Sequence, residues 1–301
     1  YGLKGKRLPS LIKALAALPV TLCEAIYHIL RFKPDVVCGV GGYVTGPVVA
    51  AARILRVPTI IHEQNSVPGL ANRKLGSIAS KICISLPDSA SFFPAGKTVL
   101  TGNPVRSRIL EFSRRPAETA AGKAPHVLIL GGSQGAHAIN EAVTQMISSG
   151  GSFWQEISIT HQTGIQDEAS VKDSYKKAGI DAEVSAFIKD MAAVYRQADV
   201  VVSRAGATTL AELAVMGKPA ILIPYPFAAD NHQEKNAVRY VNGGGAVLLK
   251  QQEVTAERLA EILIGFLEDQ EKLKTMSQAM KGMGIDNAAE QIVDICMELA
   301  G

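Results

Sequence analysis

"HVLILGGSQGAHAIN", residues 126–140, contains the succession of elements that decides the fold. The apolar run 126–130 predicts a strand, the glycines of 131–135 predict a turn, and the residues after them begin an apolar-periodic segment typical of a helix. A strand, a turn and a helix N-terminus together leave main-chain N–H groups free to bind a phosphate. The turn is therefore either a diphosphate-binding loop or a plain tight connection.

Short β-branched runs alternate with helical stretches on both sides of this turn. The runs before it cover residues 35–40, 59–63, 81–85 and 98–102, and those from it onward begin at His126, Glu156, Glu183, Asp199, Ala220 and Ala246. This alternation predicts an α/β fold with parallel sheets wrapped by helices. Four strands followed by six predict two doubly wound Rossmann-like domains, the N-terminal one incomplete.

Domain boundaries follow from a break in this pattern. The polar segment "EFSRRPAETAAGKAP", residues 111–125, separates the two series of strands, so we expect the interdomain linker there. We expect an N-terminal domain over residues 1–107, a second domain over 108–283 and a final helical segment over 284–301.

Composition excludes several classes of protein. The 301 residues are 47% hydrophobic and 20% charged, which is ordinary for a protein of two domains. A net charge of +3 and only 5% aromatic residues argue against nucleic-acid binding. No apolar run approaches the roughly 20 residues that span a bilayer, and no leader-like segment opens the chain. Scattered cysteines and histidines, without CxxC or HExxH, predict no metal site.

Glycine-bearing turns follow several of the predicted strands. The turns are residues 39–47, 131–136, 203–212 and, more weakly, 242–246, and none fits the P-loop pattern. Ser133 adds a hydroxyl donor to the second turn, which carries no acidic residue, and this favours a diphosphate there. In "SRAGATTLAE", Arg204 precedes a helix N-terminus, and Glu212 about two turns along is either a bidentate ligand of ribose hydroxyls or a solvated helix residue.

Two further clusters of polar residues follow strands. "TIIHEQN" ends a strand with His62, Glu63 and Asn65, and because neighbouring strand side chains point to opposite faces, His62 is either a hydrogen-bonded structural residue or a cleft residue. "PYPFAADNHQEKNA", residues 224–237, offers Gln233 and Asn236 to sugar hydroxyls. The alternative for that segment is simple N-capping by Asp230 or Asn231.

The front segment "GLKGKRLPSLIKALAALPV" combines basic residues with an apolar face. Basic residues beside an apolar stripe suit adsorption to an anionic membrane, although an ordinary core-facing helix has the same pattern. We expect Pro19 to divide the helix over 8–30 into two pieces.

Six motifs spread over nearly the whole chain carry a family resemblance. They are "KPDVVCGVGGYVTGP", "HEQNSVPGLANR", "TGNPVR", "GGSQGA", "SRAGATTLAEL" and "DNHQEKNA". With them the sequence resembles the peptidoglycan glycosyltransferases of family 28, which have the GT-B fold. The resemblance implies a hexosyltransferase that moves N-acetylglucosamine, with inversion, from UDP-GlcNAc to undecaprenyl-diphosphate-N-acetylmuramoyl-pentapeptide, converting lipid I to lipid II in peptidoglycan biosynthesis.

The resemblance also implies which residues contact the substrates. The donor UDP-GlcNAc would meet the second domain and two residues of the first. The residues are Gly132, Ser133, Gln134, Arg106 and Arg204 at the diphosphate, Ala205 beside them, Glu212 at the ribose, Phe187 and Ile188 at the uracil, and Gln233, Asn236 and Asn65 at the sugar. The lipid acceptor would meet the turn of Gly41, Gly42 and Tyr43. The final helix would cross back to the first domain.

The resemblance further implies that no cofactor or metal is required and that the enzyme is peripheral on the cytoplasmic face of the bacterial plasma membrane. Its front segment would contact anionic lipid, and proteins of cell-wall synthesis are further candidate partners. The family also carries a GGTGGH loop after its first strand, which this sequence lacks. We therefore expect the first strands to precede Tyr1, and residues 1–301 to bind UDP-GlcNAc yet turn over poorly. His62 and Glu63 remain as candidates for the catalytic base.

Two other functions stay open at this point. One is another GT-B enzyme acting on UDP-sugars, such as a glycolipid glycosyltransferase or a UDP-GlcNAc 2-epimerase, although an epimerase needs clustered acids and histidines that the sequence does not present. The other is a non-catalytic module that binds nucleotide sugars. Release of UDP only in the presence of a lipid-linked muramoyl acceptor distinguishes the first interpretation from both.

Overall fold

A computed structural model describes residues 8–42, 44–115, 124–131, 136–149 and 151–301, with side chains from Leu18 onward except that of Ser152. The chain forms two compact units, unit 1 comprising Tyr1–Pro104 with Asn287–Gly301 and unit 2 comprising Val105–Asp286. Each unit contains a parallel β-sheet with helices, so the predicted α/β class is confirmed.

The sheet of unit 1 has four parallel strands in the order β1-β2-β3-β4. They are β1 (Val37–Gly39), β2 (Thr59–Glu63), β3 (Lys81–Ile84) and β4 (Thr98–Leu100). The strands lie within the runs predicted by the sequence, and β1 and β4 are shorter than expected. The residues of β2 are buried on both faces, as is usual inside a parallel sheet, whereas Cys38 of β1 and Leu100 of β4 are exposed.

Among the described residues before Pro104, the α-helices are α1 (Leu8–Phe32), which precedes the sheet, and α2 (Thr45–Ile54) and α3 (Leu70–Leu75), which lie between its strands in the sequence. The expected break at Pro19 is wrong, because α1 continues through the proline as one helix of 25 residues. Proline lacks an N–H and so forgoes one main-chain hydrogen bond. The nearby Thr21 hydroxyl donates to the Leu18 carbonyl at 3.0 Å.

The sheet of unit 2 has six parallel strands in the order β10-β9-β8-β5-β6-β7. They are β5 (His126–Leu130), β6 (Ser158–Gln162), β7 (Ala182–Ser185), β8 (Val200–Ser203), β9 (Ala220–Leu222) and β10 (Ala246–Leu248). The chain adds strands on one side of β5 and then returns to its other side with β8. The strand order therefore reverses between β5 and β8, which is where ligands bind in doubly wound sheets.

Eight helices surround this sheet. They are α4 (Ser107–Ser113), α5 (His137–Ser148), α6 (Glu168–Lys177), α7 (Met191–Gln197), α8 (Ala207–Met216), α9 (His232–Asn242), α10 (Ala256–Leu267) and α11 (Gln270–Gly282). Helix α4 begins before the segment in which the sequence predicts the linker and overlaps its first three residues, yet it belongs to unit 2. The cause is local, since the Arg108 guanidinium pairs with the Asp190 carboxylate at the start of α7.

The last helix, α12 (Ala288–Ala300), packs in unit 1. Its Ile295 contacts Ile60 of β2 and Cys83 of β3, while Ile61 and Ile82 pack in a separate cluster with α2 and α3 residues. Successive strand residues point to opposite faces. Helix α12 therefore covers the face of the four-stranded sheet that α2 and α3 leave uncovered.

Candidate functional site

The carboxyl ends of β5 and β8 lie side by side in unit 2, with Leu130 in register with Ser203. Gly131 follows β5 and its N–H donates to the Gln162 carbonyl at 2.8 Å. A β-carbon at Gly131 would lie 2.9 Å from that carbonyl oxygen and 3.0 Å from the Ala136 nitrogen, so only glycine fits. Gly132, Ser133 and Gln134 lie outside the described residues, and their predicted contacts with the diphosphate stay predictions.

A polar network fixes the start of α5 behind this turn. The Asn140 amide nitrogen donates to the Thr163 carbonyl at 2.9 Å and to the Asp167 carboxylate at 2.7 Å. The ring of His161 donates from Nε2 to the Asn140 Oδ1 at 3.0 Å and accepts at Nδ1 from the Tyr175 hydroxyl at 3.2 Å. Sequence reasoning missed this network, because β6 and α5 contain several other polar residues and nothing in the sequence distinguishes Asn140 and His161 from them.

Arg204 follows β8 and is held by the neighbouring loop. Its guanidinium donates to the carbonyls of Ile223 and Pro224 at 3.1 and 3.2 Å, and to the Gln251 Oε1 at 2.7 Å. The same group lies 5.6 Å from the ring centroid of Tyr225. Burial lowers the pKa of Arg204. Its predicted place beside the diphosphate stays a prediction, and its present contacts organise the chain after β9.

Glu212 lies on α8, whose first residue, Ala207, comes four residues after the end of β8. Its carboxylate accepts from the Arg106 Nε at 3.0 Å and from the Tyr195 hydroxyl at 3.1 Å. The alternative of a solvated helix residue is wrong, because Glu212 is only 4% exposed. The Arg106 side chain is 54% exposed. Tyr195, which no sequence motif singled out, is thus a neighbour of a predicted site residue.

Helix α9 places Gln233 and Asn236 beside the ends of β8 and β9. The Gln233 Oε1 accepts from the Tyr225 N–H at 2.9 Å, and the fully buried Asn236 donates to the Ala205 carbonyl at 3.5 Å. Asn231 occupies the N-cap position but makes no capping hydrogen bond from its side chain. Its amide instead donates to the Glu234 carboxylate at 2.7 Å, so N-capping by Asn231 does not explain this segment.

The uracil-facing segment predicted at Phe187 and Ile188 follows β7. The Ile188 N–H donates to the Gln162 Oε1 at 3.4 Å, and Ile188 is buried while Phe187 is exposed. The structure therefore collects Arg106, Ile188, Arg204, Ala205, Glu212, Gln233 and Asn236 within unit 2. Their roles toward a ligand stay predictions.

His62 is the fourth of the five residues of β2 in unit 1 and is 3% exposed. The Gln64 amide nitrogen, which can only donate, contacts Nδ1 at 3.1 Å, so Nε2 carries the proton and donates to the Gly102 carbonyl at 3.0 Å. The Ser85 hydroxyl lies 3.2 Å from Nε2. Burial lowers the pKa of His62, which keeps the ring neutral near pH 7. These contacts describe a structural residue, and a role as catalytic base stays a prediction.

Glu63 points to the loop that follows β2. Its Oε1 accepts from the Asn65 N–H at 2.9 Å and from the Asn65 amide at 3.3 Å, and its Oε2 accepts from the Asn72 amide at 2.8 Å and from the Gly69 N–H at 3.3 Å. The carboxylate is buried and holds both ends of the 65–69 loop. It thereby positions Asn65, a predicted sugar-binding residue.

The glycine turn after β1 supplies the start of α2. Gly41 and Gly42 have φ angles of 92° and 84°, in the left-handed region that favours glycine. The Thr45 hydroxyl donates to the Gly41 carbonyl, and the Gln64 amide donates to the Val40 carbonyl at 3.1 Å. Tyr43 lies outside the described residues. The contact of this turn with the acceptor stays a prediction.

The described part of the chain was compared with the requirements of a metal site and of a membrane-spanning helix, and it meets neither. Among those residues, no group of three or more His, Cys, Asp or Glu side chains is arranged to hold a metal ion. None of the helices in that part is long and apolar enough to cross a bilayer.

Comparisons with known proteins agree along the whole chain. The model of the glycosyltransferase family 28 C-terminal domain matches residues 126–292, and that of the family 28 N-terminal domain matches residues 1–84. The UDP-N-acetylglucosamine--N-acetylmuramyl-(pentapeptide) pyrophosphoryl-undecaprenol N-acetylglucosamine transferase of Desulfotalea psychrophila is 52% identical over 99% of this chain and 81% of its own. The Myxococcus xanthus protein of the same name is 43% identical over 99% of this chain and 77% of its own.

Solved structures are similar as well. The crystal structure of Acinetobacter baumannii MurG superposes with a TM-score of 0.79 at 32% identity, over 99% of this chain and 83% of that one. A UDP-GlcNAc 2-epimerase from Neisseria meningitidis bound to UDP-GlcNAc superposes with a TM-score of 0.67 at 15% identity, over 95% of this chain and 82% of that one. The second likeness concerns the fold alone.

Proposed function

The chain belongs to glycosyltransferase family 28, and from that membership we propose that it transfers N-acetylglucosamine from UDP-N-acetylglucosamine to N-acetylmuramyl-(pentapeptide) pyrophosphoryl-undecaprenol, lipid I, giving lipid II. The observation that carries the proposal is the 52% identity, over 99% of this chain, to the Desulfotalea psychrophila transferase named for this reaction. The likeness extends through both units, which supports the same donor and the same acceptor.

Unit 2 is the donor-binding part in this proposal. The N-terminus of α8 begins beside the point where the strand order reverses, and its free N–H groups and dipole favour a bound diphosphate. The glycine-bearing sequence after β5 predicts a second set of such groups. The Glu212 carboxylate accepts from the ribose hydroxyls, the main chain at Phe187 and Ile188 faces the uracil, and Gln233 and Asn236 contact the sugar.

Unit 1 is the acceptor-binding part. The turn at Gly41 and Gly42 leads into the N-terminus of α2, which suits the lipid diphosphate for the same electrostatic reason. Asn65, oriented by Glu63, is proposed to reach the GlcNAc hydroxyls.

The reaction is a single inverting displacement. The acceptor hydroxyl oxygen forms a bond to the anomeric carbon while the bond from that carbon to the diphosphate oxygen breaks, and UDP leaves with the bonding pair. Helix N-termini and arginines stabilise its charge, so no metal is required. His62 and Glu63 are the proposed bases for the hydroxyl proton. For His62 to take a proton at Nδ1, the Gln64 amide must first turn away.

We further place the enzyme on the cytoplasmic face of the membrane as a peripheral protein. The exposed apolar side chains of α1, namely Leu18, Val20, Tyr27, Leu30 and Phe32, support this location. Cosedimentation with vesicles of anionic and of purely zwitterionic phospholipid tests it. We expect the protein to bind the anionic vesicles and to be released from them by salt. If all of the protein stays in the supernatant with both kinds of vesicle, the proposed location is contradicted.

The test of the reaction measures UDP release from UDP-GlcNAc with and without a lipid-linked muramoyl-pentapeptide acceptor. We expect release that depends on the acceptor, with a disaccharide product identified by mass spectrometry. Conversion of UDP-GlcNAc to its 2-epimer would identify an epimerase, and tight UDP binding without any release in the presence of acceptor would identify a binding module. Either outcome contradicts the proposed transfer.

A further inference from the structure

The side chain of Tyr195 joins α7 to the predicted ribose-binding carboxylate of α8. Tyr195 is 1% exposed, and its hydroxyl donates to the Glu212 Oε2 at 3.1 Å. The pKa of Tyr195 is raised well above 10, first because the group is buried and then because it lies beside the Glu212 carboxylate. The hydroxyl is therefore neutral and remains a donor throughout the working range of pH.

The other partner of Glu212 is of a different kind. Arg106, the residue before α4, donates from Nε to the Glu212 Oε1 at 3.0 Å, and a second nitrogen of its guanidinium lies 2.9 Å from the same oxygen. Because the Arg106 side chain is 54% exposed, solvent screens the ion pair, which therefore contributes little to holding Glu212. Incoming ribose hydroxyls can displace or share this contact at little cost.

The two carboxylate oxygens of Glu212 therefore differ: Oε2 is held in place by Tyr195, and Oε1 is available to a ligand once Arg106 moves. The Tyr195 hydroxyl is buried, so water does not compete for its hydrogen bond to Oε2. The Arg106 side chain at Oε1 is long and exposed to solvent. An ionised carboxylate has about four acceptor positions, so the hydrogen bond from Tyr195 leaves enough for both ribose hydroxyls. Pre-orientation of such a group strengthens ligand binding, because less freedom is lost when the ligand binds.

We propose that Tyr195 is a positioning residue for donor recognition, which orients Glu212 through Oε2 so that its remaining lone pairs meet the 2′- and 3′-hydroxyls of the donor ribose. Arg106 occupies Oε1 only until the nucleotide binds. This inference rests on the proposed function, since it assumes a uridine nucleotide in unit 2. It makes ribose selectivity, rather than overall affinity, the property that Tyr195 controls.

The test compares the affinities of UDP and 2′-deoxy-UDP, measured by calorimetry on the full chain. The unaltered protein is expected to bind UDP about 10-fold more tightly, which corresponds to about 1.4 kcal/mol. Tyr195→Phe should weaken UDP binding by about the same factor and 2′-deoxy-UDP binding by less, because the deoxy nucleotide keeps only its 3′-hydroxyl for Glu212, so that the preference for UDP falls. The matched control is Tyr175→Phe, which removes another buried hydroxyl of unit 2, bonded to His161 rather than to Glu212, and should keep the selectivity.

Two further variants separate the inference from its alternatives. Arg106→Gln should change both affinities by the same factor and preserve selectivity, and Tyr195→Phe combined with Glu212→Gln should lose no more selectivity than Glu212→Gln alone. The inference is overturned if Tyr195→Phe keeps the UDP preference, if it weakens both ligands equally, or if Arg106→Gln abolishes the preference.

The same measurements distinguish a failure of the proposed function from a failure of the positioning role of Tyr195. If the unaltered protein binds no UDP, both proposals fail together. If it binds UDP with selectivity that Tyr195→Phe leaves intact, only the positioning role fails. Should Tyr195→Phe not fold, as judged by the fluorescence of the buried Trp154, the Arg106→Gln comparison still decides which partner orients Glu212.

Discussion

Burial determines the charge of single side chains in unit 2, and His161 shows this most directly. Both of its ring nitrogens are hydrogen-bonded within the protein, and the residue has no exposed surface. Burial lowers the pKa of His161 to about 3 from 6.5. The folded protein therefore leaves His161 unprotonated at pH values where the unfolded chain protonates it.

This difference predicts a loss of stability in acid. Between pH 6.5 and about 3 the unfolded state binds one proton more than the folded state, so the free energy of unfolding falls as pH falls, by up to about 1.4 kcal/mol per pH unit. Urea unfolding followed by the fluorescence of Trp154, the single tryptophan and part of the core of unit 2, measures this dependence. In the His161→Gln protein, the free energy of unfolding should fall less steeply with decreasing pH, because this histidine no longer contributes.

The control for this prediction is His232→Gln, at the start of α9 and outside the buried network. It should keep the full dependence on pH. A His161→Gln protein with the same slope as the unaltered protein would show that other groups cause the acid sensitivity.

Glu63 allows a second prediction for a single residue, and it separates a structural from a catalytic role. Glu63→Gln replaces an acceptor oxygen with an NH₂ group facing N–H donors, so we expect a cost of about 1–3 kcal/mol to unit 1. Alkylation of the buried Cys83, followed by mass spectrometry, should become faster. Glu24→Gln, on the exposed face of α1, is the control. Loss of turnover with unchanged Cys83 protection would instead favour a role as base.

At the scale of elements, the turn between β5 and α5 depends on how closely two main-chain segments approach. Gly131→Ala would place a β-carbon 2.9 Å from the Gln162 carbonyl oxygen, and the contacting atoms are main chain and cannot rotate away. We expect a loss of about 1–3 kcal/mol in the free energy of unfolding of unit 2 and weaker UDP binding. Calorimetry and Trp154 fluorescence measure the two effects.

The matched substitution is Gly265→Ala within α10, where a β-carbon meets no atom within 4 Å. Alanine there should stabilise unit 2 by about 0.5–1 kcal/mol, because it restricts the unfolded chain and favours a helix. Equal effects of the two substitutions would mean that the close approach at Gly131 does not constrain the turn.

The positions of strands and helices were predicted from the sequence more accurately than the contacts of individual side chains. Runs such as 59–63 and 126–130 become β2 and β5 because the aliphatic residues at their centres suit a parallel sheet that is buried on both faces. The predicted break of α1 at Pro19 was wrong, because the remaining hydrogen bonds of the helix outweigh the one that proline cannot make. The contacts of Glu212 could not be predicted, because Arg106, Tyr195 and Glu212 come from three separate segments that only the folded chain brings together.

At the scale of the whole molecule, α12 returns the chain to unit 1. Ile295→Ala should cost about 2–4 kcal/mol by leaving a cavity beside Ile60 and Cys83. The expected result is faster alkylation of Cys83, with the Trp154 transition of unit 2 unchanged. Val293→Ala, on the exposed side of the same helix, should protect Cys83 as well as the unaltered protein does. Equal alkylation rates in the two variants would contradict a structural role for α12.

The return of α12 also sets the order in which the chain can fold as it leaves the ribosome. Unit 2 is one continuous segment, Val105–Asp286, so all its strands have been synthesised before the first residue of α12 appears. The four-stranded sheet, in contrast, must wait with one apolar face uncovered until residues 288–300 emerge. A chain that has emerged only as far as residue 287 would therefore hold a finished unit 2 and an unfinished unit 1, which is the stage at which a chaperone that binds apolar surface would be needed.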